Sequence, residues 1–493
     1  MHMEIHRDKQ DRGKDEQSPR KISRLEELDA LRGLCTCAVI ASHFNFAFGD
    51  YVVGPEIGGF MSRLANLACL TFFAMSGHVV AYHYLQTGSL EALVGAAFRR
   101  IPRLILPVLW ANLLSWQLAV HGGYSSENDW RLLKKSRGFK GEWCKDCMTK
   151  ELVDVLYSSA QVLWTVRPNH FLWLWTVHCE IIGSFMVFLL APLSRYISSS
   201  RMRLDGTDDL ILVHGKLWPQ QLIRCISFHV VVLVLLLGLG IVTNHCIDFE
   251  GPLAPAPWCD SNFNVVLSVA GVAMDAGAFF LFNIGLASAH IRVLLTDTSC
   301  SWARILLSKW NENWLIQGVV SACLILGGLS VAIAPGDDLI FPWLAIRHGR
   351  SILFQVGAGA IVLGVVAFPQ VVKDGMKRIS FLGQMSFSMY LVHMSIIWSI
   401  GMPLYVWFSN KMNPNHAFAL IACICVPCIY WFSAMFQQAI EEPLGVKLPR
   451  YTFDAIKWLL FDARKPKQPP QATQRMSEFL SQADLPETRH GRY

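Results

Sequence analysis

Apolar runs of membrane-spanning length recur from residue 31 to residue 438, and no other feature limits the fold of this chain as strongly. A bilayer is crossed by about 17 to 25 predominantly apolar residues in helical form. Ten such runs lie near residues 31–48, 63–85, 101–120, 170–193, 222–244, 263–290, 313–334, 351–369, 382–408 and 415–438. Lipid cannot hydrogen-bond the backbone, so spanning segments are helices or closed barrels. Runs of this length therefore predict an all-α, polytopic membrane protein with about ten transmembrane helices. Only 16% of residues are charged and 53% are apolar, whereas soluble domains carry about 25% charged residues. No polar stretch between the runs is long enough to build a second core, so one transmembrane domain is expected over 25–444. Residues 1–24 mix both charges and lack the apolar core of a signal peptide; they are expected to be a disordered cytosolic tail. Residues 445–493 start basic and become rich in Pro, Gln and Ser. They are expected to form a cytosolic C-terminal tail without an appended catalytic domain.

The connections between runs give a direction. Every second one is basic: Arg99, Arg100 and Arg103, then Arg195, Arg201 and Arg203, then Arg292, Arg304 and Lys309, then Lys373, Lys377 and Arg378. The fifth carries Asp248, Glu250 and Asp260, and the seventh Asp337 and Asp338. The positive-inside rule then puts both termini in the cytosol. The loop 121–168 is basic on the opposite side, although long loops follow the rule less strictly. The net charge of +6 is modest and forms no stripe suited to nucleic acid. Most of the 14 cysteines sit singly in apolar runs, where they act as small buried hydrophobes. Cys144 and Cys147 have half the spacing of a zinc site, but the further ligands are missing, and a disulfide involving them or Cys246 and Cys259 is the stronger expectation. No metal and no tightly bound cofactor are expected. There is no Asn-x-Ser/Thr sequon and no internal repeat.

Ionisable residues inside such runs carry the functional reading. His43, Glu180, Asp275 and His393 fall near mid-depth, where a charge is costly and marks a site by default. Each alone also reads as a satisfied polar residue that pins helices together. Arg32 and His43 share one helical face, about 16 Å apart along the axis at 1.5 Å per residue. Arginine suits phosphate because its planar fork gives charge-assisted hydrogen bonds, and a neutral imidazole suits the deprotonation of a hydroxyl. Acyl-coenzyme A has phosphates at one end, a reactive thioester at the other, and comparable reach between them. Arg99, Arg100 and Arg103 add positive charge at the same membrane face, either for phosphate or as an ordinary anchor. Asp29 lies one turn before Arg32, positioned to fix the guanidinium or to favour the helix N-terminus. Glu180 would orient His43 or neutralise an arginine.

Six fragments then resemble the acyltransferase 3 family of integral-membrane acyltransferases, in that family's order. "LDALRGLCTCAVIASH" resembles its first-helix signature, with ten residues between Arg32 and His43. "FFAMSGHVV" carries Ser76 and Gly77 of the second-helix element, and "RRIPRLILP" resembles the entry to the third helix. "LWTVHCE" ends on Glu180, "LGQMSFSMYLVH" contains Tyr390 and His393, and "EEP" (441–443) resembles the closing mark. The chain departs from the pattern at His78, Val177 and Phe387, none of which is a proposed catalytic group. The resemblance implies transfer of an acyl group, most often acetyl, from acyl-coenzyme A to a hydroxyl of a carbohydrate, lipid or small-molecule acceptor.

On this reading Arg32 and the cluster Arg99, Arg100 and Arg103 bind the coenzyme A phosphates, and His43 is the base. Glu180 orients the imidazole or balances charge. Ser76, Tyr390 or His393 donates to the developing oxyanion, and an acylated His43 is an alternative route. The expected partners are acyl-coenzyme A, a hydroxyl-bearing acceptor and the lipid bilayer. A proton-coupled transporter built on His43, Glu180, Asp275 and His393 is the rival; it leaves Arg32 and the basic rim unexplained.

Overall fold

A computed structural model describes residues 25–49, 55–121, 151–163, 174–199, 210–213, 216–247, 276–296, 308–333, 352–368 and 370–459. These residues are nearly all helical. The helices are α1 (Glu26–Phe44), α2 (Pro55–Thr87), α3 (Leu90–Val120), α4 (Leu152–Gln161), α5 (Trp175–Ser199), α6 (Gln220–Ile247) and α7 (Ala276–Thr296). They continue as α8 (Trp314–Ile333), α9 (Ile352–Val366), α10 (Gln370–Lys377), α11 (Ser380–Ile396), α12 (Met402–Ser409), α13 (Pro414–Phe436) and α14 (Leu448–Lys457). A single antiparallel hairpin, Leu210–Val213 with Lys216–Pro219, precedes α6 among the described residues.

Six of the described helical stretches are long and apolar enough to cross a membrane: Ile57–Thr87, Thr176–Ser198, Ala278–Thr296, Trp314–Val331, Ser380–Ser409 and Pro414–Lys457. A seventh arises if the sharply bent pair α9 and α10 counts as one span. Ten were expected from the apolar runs. The difference falls on α1, α3, α6 and α9, and its causes are visible in them. The first turn of α1 carries Glu26, Glu27 and Asp29, followed by Arg32; Arg99, Arg100 and Arg103 interrupt α3; the described apolar part of α6 is only Leu222–Leu236; and α9 has 15 residues.

Small residues set how closely the helices approach, as they do where lipid gives no hydrophobic drive for association. The interface between α2 and α7 is the most extensive among the described helices. There Gly285 lies so close to α2 that a Cβ would stand 2.0 Å from the Ala74 carbonyl oxygen. Helices α1 and α11 run parallel. A Cβ on Gly383 would stand 1.8 Å from the Asp29 carbonyl oxygen, and one on Gly33 would stand 2.8 Å from the Gly383 nitrogen. The two helices keep a constant offset along their length: Gly33 meets Gly383 and, three turns on, His43 meets His393.

Among the described residues three π-helical segments of five residues or more interrupt the α-helices, and each follows or contains an ionisable residue that is buried or partly buried. Asn45–Gly49 follows His43, Ile397–Gly401 follows His393, and Gln437–Lys447 contains Glu441. Such wide turns are frequent at functional sites. The segment from 445, where a polar tail was expected to begin, continues as helix and packs on α3. Phe453 lies against Phe98 with ring centroids 5.6 Å apart and against the Arg99 guanidinium at 5.5 Å, while Lys457 pairs with Glu91 at 2.5 Å. The charges of Arg450, Asp454 and Lys457 hide one amphipathic turn whose aromatic residue packs partly buried against α3.

Candidate active site

The close approach of α1 and α11 brings two imidazoles from distant parts of the chain together. His43 Nδ1 and His393 Nε2 are 2.7 Å apart, and the rings lie parallel within 2°, their centroids separated by 5.0 Å. His393 is completely buried. Its other nitrogen, Nδ1, is 2.7 Å from the Tyr390 carbonyl oxygen and 3.2 Å from that of Met389. A carbonyl oxygen only accepts, so His393 Nδ1 carries the hydrogen, and a neutral ring then has a bare Nε2. The hydrogen between the two rings must belong to His43 Nδ1. With both rings neutral, the chain of bonds runs from His43 through His393 to the Tyr390 carbonyl and leaves the lone pair of His43 Nε2 uncommitted. Thr176 on α5 donates to the Tyr390 hydroxyl at 2.8 Å.

A second polar group gathers nearer the start of α1. The Arg100 guanidinium on α3 pairs with Glu180 Oε1 on α5 and donates through Nε to Ser184 Oγ at 2.9 Å. Ser76 on α2 donates to the same Glu180 oxygen at 2.5 Å. Arg32 and Arg103 lie close enough to Arg100 to repel it, and Glu180 offsets that repulsion. Arg32 faces Asp29 at 3.8 Å. Glu441, in the third π-helical segment, accepts from Ser388 at 2.5 Å and is drawn to Arg103 and Arg32. Three guanidiniums and three carboxylates thus alternate in a network fed by α1, α3, α5 and the segment after α13. Every ionised group in it has an opposite charge nearby, the condition for keeping it inside a bundle.

The expected residues separate into these two groups. His43, His393 and Tyr390 form the first; Asp29, Arg32, Ser76, Arg100, Arg103 and Glu180 belong to the second. Glu180 contacts Arg100 and Ser76, and the ring partner of His43 is His393. Ser76 has its hydroxyl hydrogen on Glu180 in this arrangement. Arg99 is in neither group, since it is turned to Phe453 and to the charges of Asp454 and Arg450. Asp275, Cys144, Cys147 and Cys259 lie outside the described residues, as does the side chain of Cys246.

Three polar contacts had no counterpart in the sequence reading. The Glu441 carboxylate was read only as part of a closing motif. His78 meets Ser288 on α7 at 2.5 Å, and its Nε2 has no partner among the described groups. A cluster of Cys225, His229 and His290 joins α6 to α7 and supplies side chains of metal-ligating type. Its local signal was present, because Cys225 and His229 are one turn apart on a helix and share a face.

A bundle of apolar helices that carries a linked pair of histidines and an arginine–carboxylate network defines a membrane-embedded protein. Residues 25–434 match the acyltransferase domain of the acyltransferase 3 family, and the chain belongs to that family. It is a membrane acyltransferase in the general sense that the family defines. No curated protein matches the chain.

Proposed function

We propose that the protein transfers an acyl group, most simply acetyl, from acyl-coenzyme A to a hydroxyl of a small-molecule, lipid or carbohydrate acceptor, with His43 as the general base. The observation that carries this reading is the directed hydrogen bonding of His43. Its Nδ1–H is held by His393, itself anchored on the Tyr390 carbonyl, so the Nε2 lone pair is oriented and available. His43 Nε2 takes the acceptor's hydroxyl proton as the oxygen attacks the thioester carbonyl. The tetrahedral species then expels the coenzyme A thiolate, which recovers the proton from the imidazolium. His393 stabilises that imidazolium by accepting its Nδ1–H, the orienting role that a carboxylate has in hydrolytic triads.

Arg32 and Arg103 hold the donor's phosphates, with Arg100 fixed by Glu180 behind them and Arg99 at the rim. Arg32 is one quarter exposed, so it can reach a ligand without leaving the network. The separation of about 16 Å between Arg32 and His43, from the rise of a helix, suits the pantetheine arm. The donor enters from the cytosolic face, where both termini lie. All ten apolar runs cross the bilayer, α1, α3, α6 and α9 with them, and Glu180 and Glu441 offset the charges of Arg100 and Arg103 on α3.

Binding to the folded state raises its stability. The test is thermal unfolding of the detergent-purified protein with acetyl-coenzyme A, with coenzyme A and with neither. The midpoint rises with both ligands, Arg32→Ala weakens the rise, and His43→Ala keeps most of it. Absence of a shift with acyl-coenzyme A up to millimolar concentration would exclude the donor site and return the polar groups to a proton relay.

A further inference from the structure

Near the opposite ends of α5 and α7 from the histidine pair's level, a second polar cluster is built from four buried side chains. Cys225 and His229 come from α6, His290 from α7 and Ser194 from α5, and none is more than 3% exposed. The ligand atoms of Cys225, His229 and His290 all lie within 4.8 Å of one another. Ser194 Oγ is 2.5 Å from His290 Nδ1 and 3.1 Å from His229 Nε2.

The surroundings fix which nitrogens carry hydrogen. Asn283 donates its amide hydrogen to the His229 backbone carbonyl at 3.2 Å, which points Oδ1 at His229 Nδ1, 3.0 Å away. An amide oxygen only accepts, so His229 Nδ1 carries the hydrogen and Nε2 is bare. Ser198 donates to the Arg195 carbonyl at 2.9 Å and therefore accepts from His290 Nε2 at 3.1 Å. That leaves His290 Nδ1 bare as well. Two imidazole lone pairs thus converge on Ser194, whose one hydroxyl hydrogen can satisfy only one of them, and the Cys225 sulfur closes the group.

We propose that Cys225, His229, His290 and Ser194 form a binding site for one divalent cation of borderline softness, zinc foremost, that ties α5, α6 and α7 together. Two imidazoles and a thiolate are characteristic zinc donors, with bonds of about 2.0–2.3 Å, and the three atoms need only draw inward to reach them. Each imidazole already donates its other N–H to an oxygen, the outer-shell arrangement that fixes the ligating tautomer of metal-bound histidine. Ser194 supplies the fourth, neutral oxygen. Binding releases the Cys225 thiol proton to solvent, so the occupied site carries one net positive charge. Arg195, the nearest guanidinium in sequence to Ser194, donates to the Tyr84 and Leu85 carbonyls at 2.9 and 3.1 Å, and its charge still reaches His290. The site is independent of the acyl-transfer reading.

Purified full-length protein, dialysed free of loose metal, should contain about one zinc per chain by plasma mass spectrometry. Replacement by cobalt should give a thiolate-to-metal charge-transfer band, and a chelator should lower the thermal midpoint. Both metal and band should be lost in a Cys225→Ser/His290→Gln variant and kept in Cys144→Ser/Cys147→Ser. Wild-type protein that holds no zinc, shows no cobalt band and gains no stability from added zinc overturns the proposal. So does metal that persists in the first variant, or that disappears with Cys144 and Cys147. Should the first variant fail to accumulate, the second decides alone, by retaining or losing the band.

Discussion

Among the described residues, His43 with His393 and His229 with His290 form two linked pairs, and the hydrogens on them point in opposite senses. In His43 and His393 the bonds run one way, from ring to ring and out to the Tyr390 carbonyl. One bare nitrogen is left at the head of that chain, arranged to take a proton from something that arrives. In His229 and His290 both N–H groups point outward, to Asn283 and Ser198, and both lone pairs point inward at Ser194. The first arrangement is the one proposed above for a base, and the second the one proposed for a cation site. The difference lies in the acceptor that each ring meets on its far side, which sets the tautomer.

The largest expected effect separates the pairs by chemistry. His43→Ala should lower acyl transfer by about 10²–10⁴-fold, the usual worth of a positioned base, measured as thiol release from acetyl-coenzyme A in the presence of acceptor. Metal content should stay at the wild-type level, and an active His43→Ala enzyme would break the comparison.

Next in size is the arginine–carboxylate network proposed to support the donor. Glu180→Ala leaves Arg100 without its partner, and stripping one side of a buried ion pair costs about 3–5 kcal/mol. A lowered thermal midpoint, partly recovered in Glu180→Ala/Arg100→Met, is the expected result.

Packing gives a third test. Gly383→Ala forces a methyl group onto the Asp29 carbonyl, and such overpacking costs about 1–3 kcal/mol. It should move His393 relative to His43, so activity falls together with the unfolding midpoint. Gly318 on α8 has open space where a Cβ would go. There Gly→Ala should be neutral or should stabilise by about 0.5–1 kcal/mol.

The smallest effect sharpens the role of His393. His393→Asn keeps one acceptor and one donor, so it should lose less turnover than His393→Ala, with the affinity for acetyl-coenzyme A unchanged in both. Equal losses in the two variants would reduce His393 to a packing residue.

Part of the side-chain arrangement at the candidate site could be read in advance because its signals are local. Arg32 and His43 share one helical stripe, and a stripe follows from residue spacing alone. Asp29 beside Arg32 is likewise one turn of one helix. The partner of His43 was not legible in this way, since His393 is distant in the sequence and only the parallel register of α1 and α11 joins them. Glu180 had two open roles, and its contact with Arg100 depends on how α3 and α5 pack. Arg99 and Arg100 are adjacent in sequence, yet α14 draws one away while Glu180 holds the other. The spans were legible where charge was absent. In α1 and α3 the site's own residues break the apolar windows, so these two helices fall short of the composition of a span.

The sequence by itself determined that the chain is a helical membrane protein of the acyltransferase 3 family, because hydrophobic length and short motifs are properties of contiguous residues. Only the tertiary structure decided which ionisable groups pair and which nitrogen of each histidine is bare. Those depend on acceptors brought from other helices, and helix packing fixes them through a few glycines where backbones touch.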